Sequence, residues 1–211
     1  TEVNDATATL GGPFVRDKVW FFVSGRYLYA DNYVPGMFRN ANANNVNAFR
    51  YVSTGEQAII HQDQTMFQAR VTYQASPRNK IGFTYDHEAL CSCPNQISAT
   101  VSPEASVDRR FPLQRFVQMD WNNPVSNRLL LEASAIHRVE RWGAMHLQTG
   151  KGDNIDAIAP GMVPVTDNPS LATGGSLNYR AFAGVNGFNN SWNWNLHYRA
   201  AVSYVTGSHN F

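Results

Sequence analysis

Apolar and polar residues alternate over several stretches of the chain. Between residues 65 and 75, Phe67, Val71 and Tyr73 occupy odd positions, whereas Gln68 and Arg70 occupy even ones. Successive side chains of a β-strand point to opposite faces, so this stretch predicts a strand with one apolar and one polar face. The same alternation predicts strands over residues 19–30, 80–88, 114–121, 129–139 and 193–205, with residues 6–10 as a weaker candidate.

The segments between these strands alternate between short and long. Short polar connections rich in turn-forming residues cover residues 15–18, 76–80, 122–128 and 206–210. Long segments without a sustained period cover residues 31–64, 89–109 and 143–191. Every second connection is therefore tight, which predicts an antiparallel sheet whose three long loops lie at one end.

This pattern favours an all-β, antiparallel transmembrane β-barrel fragment of about seven strands, with short periplasmic turns and long extracellular loops. A strand of about twelve residues, rising ~3.3 Å per residue and tilted ~40°, spans the ~30 Å of a bilayer core. Charged residues at polar positions suit a wet lumen better than a dry core. A soluble β-sandwich or lectin-like domain is the alternative. The residues predicted to face the lumen are Arg26, Arg70, Glu132, Arg138 and Arg199.

Composition narrows the class of protein. A net charge of +1 argues against a general nucleic-acid binder. The longest apolar run, residues 19–23, is too short for a membrane helix, and 12% aromatic residues argue against disorder. Because the chain begins at Thr1 without a signal segment and stops just after a turn, we expect an internal fragment of a longer protein.

Four segments carry a family resemblance. The run LGGPFVRDKVWFF at residues 10–22 resembles a hairpin of TonB-dependent outer-membrane receptors of the Oar-like group, which have an N-terminal carboxypeptidase-regulatory-like domain. Residues 67–80, 123–133 and 198–209 are similar to later parts of that barrel, in the same order. The resemblance covers nearly every predicted strand and tight turn, and does not extend into the long loops.

The resemblance implies a location in the bacterial cell outer membrane, in contact with outer-membrane lipid. It implies that residues 1–211 are a partial TonB-dependent receptor β-barrel domain, with the plug domain and the remaining strands of a barrel of ~22 absent. Such receptors bind a scarce nutrient, here unknown, and take it up with energy from the TonB complex, which would be contacted through the missing N-terminal part. The alternatives are a secreted β-sandwich adhesion or carbohydrate-binding module, and a passive porin-type channel.

No motif predicts an enzyme, a cofactor or a metal site. In Asp86-His87-Glu88 the histidine cannot share a strand face with the two carboxylates, so we interpret the three as polar residues at a strand end. His137 and His197 have no partner at a metal-ligand spacing, residues 150–151 lack the glycine of a phosphate loop, and residues 153–156 lack the spaced acidic ligands of a calcium loop.

Cys91 and Cys93 fall in the second long loop. Two thiols separated by one residue are metal-ligand candidates, but a second pair is absent. Thiols outside the cell tend to be oxidised, so we predict a loop disulfide. Its connectivity stays open, because a bond between residues two apart is strained and either cysteine has a bridging partner elsewhere as an alternative.

Aromatic residues in the first and third long loops are the candidates for ligand contact, because rings among Asn and Gly residues stack on sugars or peptides. The alternative is that these rings pack the loops against one another. The candidates are Tyr33, Phe38 and Tyr51 in the first loop and Tyr179, Phe188 and Trp192 in the third.

Overall fold

The computed structural model describes residues 1–42, 45, 47–146, 165–167, 177–178, 190–206 and 209–210. It is an all-β structure with a single 3-10 turn, Pro103–Ala105, among these residues. No helix in these ranges is long and apolar enough to cross a membrane. The strands are β1 (Glu2–Val15), β2 (Val19–Asn40), β3 (Ser53–Ser76), β4 (Asn79–Asn95), β5 (Val107–Pro124), β6 (Leu129–His146), β7 (Thr166–Asp167), β8 (Leu177–Asn178), β9 (Asn190–Thr206) and β10 (His209–Asn210).

The main sheet is an antiparallel meander in which each strand pairs with its neighbour in sequence. Its order is β1-β2-β3-β4-β5-β6-β9-β10, and β7 pairs with β8 in a separate two-stranded ribbon. Seven strands are long and β10 has two residues. The prediction of about seven antiparallel strands is confirmed, including the weak candidate at residues 6–10, which lies inside β1. Among the described residues β1 and β10 are the edges, so the sheet is open.

Three of the four predicted short connections form turns, and the fourth, at residues 206–210, includes residues outside the described ranges. Residues 16–18 link β1 to β2, where Asp17 has a positive φ of 59° that Asp tolerates better than most residues. Pro77 and Arg78 link β3 to β4, and the Ser76 hydroxyl accepts the Asn79 N–H at 3.2 Å. Residues 125–128 link β5 to β6. In a sequential meander alternate connections share one end, so these turns lie at the same end of the sheet.

The predicted long loop at residues 31–64 is largely wrong. β2 and β3 continue as a hairpin to Asn40 and from Ser53, which leaves only residues 41–52 as the connection. The register becomes irregular between Tyr33 and Phe38, where Gly36 has a φ of 73°. This irregularity removes the period of two from the sequence without ending the ladder, because backbone pairing needs no particular side chain.

The predicted loop at residues 89–109 is shorter than expected for the same reason. β4 extends to Asn95 and β5 begins at Val107, so the connection covers residues 96–106. Within this connection, Ser102 donates its N–H to the Asn178 carbonyl at 2.8 Å, and Asn178 donates to the Thr100 carbonyl at 2.9 Å. The connection is therefore joined to β8 by backbone hydrogen bonds.

A small hydrophobic core lies where these connections meet β2 and β3. We call it the loop-end core, and it consists of Val34, Met37, Ala58, Ile97 and Leu177. Tyr51, Ile60 and Val165 pack against it. It accounts for most of the buried hydrophobic residues of the described structure, since most of the sheet is a single layer with both faces accessible.

Candidate functional site

The register places the apolar positions of seven strands on one face of the sheet, here called the apolar face. Cross-strand pairing aligns them in rows, such as Val71, Phe83, Met119, Ala135 and Tyr198 on β3, β4, β5, β6 and β9. Its larger apolar members are Leu10, Phe21, Val23, Tyr27, Phe67, Val71, Tyr73, Ile81, Phe83, Tyr85, Val117, Met119, Trp121, Trp192, Trp194, Leu196, Tyr198, Val202 and Tyr204.

Much of the apolar face is uncovered. Met119 is 55% exposed, Trp194 69% and Tyr198 76%. At the short-turn margin the Trp121 indole N–H donates to the Asn79 side-chain oxygen at 3.0 Å. An aromatic body on an apolar surface with its polar atom at the margin is the arrangement that Trp adopts at membrane interfaces. Contiguous exposed apolar surfaces are typical of protein-binding, ligand-binding or membrane-contacting surfaces.

The opposite face, here called the polar face, carries the residues predicted to face a lumen. Arg26, Arg70, Glu132, Arg138 and Arg199 all share it, together with a few apolar residues such as Trp20, Phe22, Phe116 and Ile136. Its other polar members are Thr7, Gln68, Asp86, Glu88, Gln114, Gln118, Asp120, Asn122, Ser134, Glu140, Asn195 and His197.

Two of these five charged residues are in ion pairs. Arg26 binds Asp5 of the edge strand through two contacts, Nε to Oδ1 at 2.9 Å and Nη2 to Oδ2 at 2.6 Å. Arg138 pairs with Glu140 two residues along β6, at 3.2 Å. Both pairs are solvated, so they orient side chains more than they stabilise the sheet.

The other three charged residues line one recess on the polar face. The recess has a volume of about 260 Å³ and contains Arg70, Arg199, Asp120 and Glu132. Gly82 leaves space for the Asp120 carboxylate, since a Cβ there would lie 2.5 Å from both of its oxygens. Two guanidinium groups and two carboxylates around one small space can hydrogen-bond polar or zwitterionic groups.

The structure separates Asp86-His87-Glu88 as the alternation predicts. Asp86 and Glu88 lie on the polar face, where Gln68 donates to Asp86 at 3.4 Å and Gln64 donates to Glu88. His87 lies on the apolar face opposite Phe67. The two carboxylates therefore act as acceptors for cross-strand amides, and the three residues do not meet at one point.

The candidate ligand-contacting aromatics are dispersed, and the predicted loop setting is wrong for three of them. Tyr33 and Phe38 lie in β2, because the hairpin extends beyond the predicted strand end. Trp192 lies in β9 on the apolar face, opposite Arg141, whose guanidinium lies 5.3 Å from the indole centre. Tyr51 alone is in a connection, where its hydroxyl donates to the Phe38 carbonyl at 3.0 Å. The other two candidates, Tyr179 and Phe188, are outside the described residues.

Cys91 and Cys93 form a disulfide with each other, which answers the open question of connectivity. Both lie in β4 and not in a loop, so that prediction is corrected. Their cross-strand partners are Asp63 and His61, on the same face of β3. His61 contacts Asp31 at 2.7 Å. Among the described residues no group of three or more His, Cys, Asp or Glu is arranged to hold a metal ion.

The 96–106 connection contains a buried acid in its 3-10 turn. Glu104 is 4% exposed, and its Oε1 accepts the Asn40 N–H at 3.0 Å. Burial raises the pKa of this carboxyl above its usual range. Ala58 and Ile60 of this region share a strand face with Gln62 and Gln64, so the 96–106 connection folds over the polar-face side of β3.

Sequence reasoning missed two groupings near the loop end. Phe111 and Trp142 stack with ring centres 6.0 Å apart, and the Arg109 guanidinium lies 5.3 Å from each ring. Arg115 is on the apolar face, next to His87. Counting every second residue back from Trp121 leads to Arg115, so the sequence could have placed Arg115 on the apolar face. The stack could not be predicted in this way, because the bulge between Arg110 and Leu113 interrupts the alternation.

Comparison with protein-family models, with curated proteins and with solved structures finds no match to this chain. The functional assignment therefore rests on the chain's own residues and geometry. The informative features are the two unlike faces, the division between tight and long connections, and the recess on the polar face.

Proposed function

We propose that this chain forms part of the wall of an outer-membrane TonB-dependent receptor, which binds a nutrient at the cell surface and takes it up with energy from the TonB complex. In this proposal the apolar face contacts lipid and the polar face lines the interior of a closed barrel. The 260 Å³ recess then lies on the interior wall.

The observation that carries the proposal is the sharing of one uncovered apolar face by all seven long strands. A sheet with alternating faces matches a lipid-facing barrel wall whose lumen side is polar. Tight turns at one end and longer connections at the other fit periplasmic and extracellular ends. The resemblance of residues 10–22 and the three later segments supports the choice of family.

The secreted β-sandwich remains the second candidate, and one observation weighs against it. A sandwich buries its apolar face under a second sheet at ~10 Å. In the described part of the chain the second sheet is the two-residue ribbon of β7 and β8, and Trp194 and Tyr198 are exposed.

Single-cysteine labelling on intact cells tests this topology, in a background carrying Cys91→Ser and Cys93→Ser. A membrane-impermeant thiol reagent should label Asn47→Cys on intact cells and Asn127→Cys only after the outer membrane is permeabilised. Met119→Cys should react only after detergent or denaturant is added, because lipid covers it. Labelling of all three in a soluble secreted fraction would favour the sandwich.

Energy coupling needs a separate test, because a passive porin-type channel would give the same topology. Chemical cross-linking in cells that produce the protein carrying this chain tests for contact with TonB. A TonB-dependent receptor should give a covalent product that contains both this protein and TonB. Absence of that product alongside a steady ion conductance in planar bilayers would favour the passive channel.

A further inference from the structure

Arg115 is a basic residue on the apolar face. Its cross-strand partners are His87 on β4 and Val139 on β6, and its diagonal neighbours include His137 and Arg141. None of these residues is acidic. The nearest acid of β5 on this side, Asp108, is paired with Arg110 at 3.2 Å. The charge of Arg115 is therefore not compensated by the described protein on this face.

Polar atoms at this point lack partners. Arg115 Nε and His87 Nδ1 are both buried without a hydrogen-bond partner among the described residues. A buried polar atom left unpaired is destabilising, and more so where the group is charged. A guanidinium with a neighbouring imidazole can donate several hydrogen bonds to one anion.

An apolar groove runs along the same strands toward the short turns. It has a volume of about 480 Å³ and is walled by Met119, Trp121 and Tyr198 where Ala133, Ala135 and Ala200 leave space. Met119 is four residues from Arg115, or about 13 Å along the strand. An acyl chain spans about 15 Å, half of the bilayer core, so it can reach from Arg115 into the groove.

We propose that this surface binds one anionic phospholipid-type molecule, with its phosphate on Arg115 and His87 and an acyl chain in the groove. The proposal rests on the lipid-facing orientation given under the proposed function. Arg115 lies in the cross-strand row that ends at Trp194, near the loop-side margin of the apolar face, where headgroups and interfacial Trp residues are found. Charge complementarity selects an anionic headgroup over a zwitterionic one.

The test uses Trp194 as the reporter, with Trp20, Trp121, Trp142 and Trp192 replaced by Phe. The full chain is reconstituted into phosphatidylcholine vesicles containing a brominated quencher lipid, either phosphatidylglycerol or phosphatidylcholine, at equal mole fraction. We expect the anionic quencher to be more effective by about threefold to fivefold, as one basic residue at a membrane surface implies. Arg115→Gln should bring the ratio close to one, and Arg115→Lys should keep most of it.

Arg138→Gln is the matched control, because it removes the same charge from the polar face of the adjacent strand and should leave the ratio unchanged. Ala135→Phe should lower quenching by both lipids by filling the groove. Equal quenching by both lipids in the unmodified reporter would overturn the lipid site and leave the proposed function standing. If aqueous acrylamide quenched Trp194 and neither brominated lipid did, the apolar face would not contact lipid, and the proposed function itself would be overturned. Loss of the preference on adding inorganic phosphate would show a site for a free anion and contradict the lipid assignment.

Discussion

The two faces of the sheet are built from adjacent residues of the same strands, yet they carry opposite chemistry. Gln118 on the polar face lies in a row with Thr84 and His197, whereas Met119 on the apolar face lies in a row with Phe83 and Tyr198. A shift of one residue in register would exchange the two environments. Alternation along each strand therefore gives this single-layer sheet one apolar and one polar surface.

The faces also differ in what covers them. The polar-face side of β2 and β3 is covered at the loop end by the 96–106 connection and the loop-end core, where Met37 is 1% exposed. The described chain places no comparable cover over Met119 or Tyr198 of the apolar face. In the described residues, protein therefore covers part of the polar face and leaves the large side chains of the apolar face exposed.

A charge on the apolar face should have the largest effect. Met119→Arg in reconstituted bilayers should lower the free energy of unfolding by about 2–4 kcal/mol, because the guanidinium enters hydrocarbon. Gln118→Arg is the matched control on the polar face and should change it by at most about 0.5 kcal/mol. Denaturant titration of both variants measures the difference. Equal effects of the two substitutions would refute the assignment of the faces.

The loop-end core should respond to a cavity. Met37→Ala should lower the free energy of unfolding of the loop-end core and the 96–106 connection by about 2 kcal/mol. This is the low end of the range for a buried Met, because the site lies at the end of the sheet and can relax. Hydrogen-exchange protection should fall in residues 96–106 and stay unchanged in the central strands. Met66→Ala on the polar face of β3 is the control. A uniform loss of protection over the whole sheet would show that the core and the sheet unfold as one unit.

At the short-turn end of the apolar face, one side chain accepts hydrogen bonds from two neighbours. Asn79 accepts hydrogen bonds from Trp121 and Asn123, each at 3.0 Å. Asn79→Ala should cost about 1–2 kcal/mol for the two lost bonds, and the Trp121 emission should shift as its indole is released. Asn195→Ala on the exposed part of β9 serves as the control. An unshifted Trp121 spectrum would mean that this anchor is not formed.

The buried acid should give the smallest effect, and its sign follows from its pKa. Burial raises the pKa of Glu104. The 96–106 connection is therefore most stable below the ordinary carboxyl pKa and loses stability as pH rises through the raised pKa. Protection factors in residues 96–106 should therefore decrease on going from acid to neutral pH. Glu104→Gln should remove that dependence and keep the hydrogen bond from Asn40. Protection that increases with pH in the unmodified chain would contradict this account.

The sequence predicted the sheet where one period was sustained. Strands, tight turns and the sharing of one face by Arg26, Arg70 and Arg199 all follow from alternation, which the cross-strand register reproduces. Strand ends could not be predicted beyond Ala30 and Glu88. There, Gly36, the register shifts and the covering connection remove the difference between the two faces.

The site was less predictable than the fold. Choosing aromatics by position in presumed loops misplaced Tyr33, Phe38 and Trp192, since a strand can continue through Asn- and Gly-rich sequence. The recess at Arg70 and Asp120 depends on which residues become neighbours across four strands, and this spacing is not visible in any single segment. The sequence did not decide whether Cys91 and Cys93 pair with each other, as they do in the structure, or with cysteines elsewhere.

The most direct test of the central claim is a nitroxide scan of residues 65–75 in bilayers, in the background carrying Cys91→Ser and Cys93→Ser. Collision with oxygen, which concentrates in lipid, should peak at odd positions such as 67, 69 and 71. Collision with a water-soluble nickel complex should peak at even positions such as 68 and 70. Two profiles of period two in opposite phase are the predicted result. A nickel complex that reaches both sets equally would contradict a lipid-facing sheet.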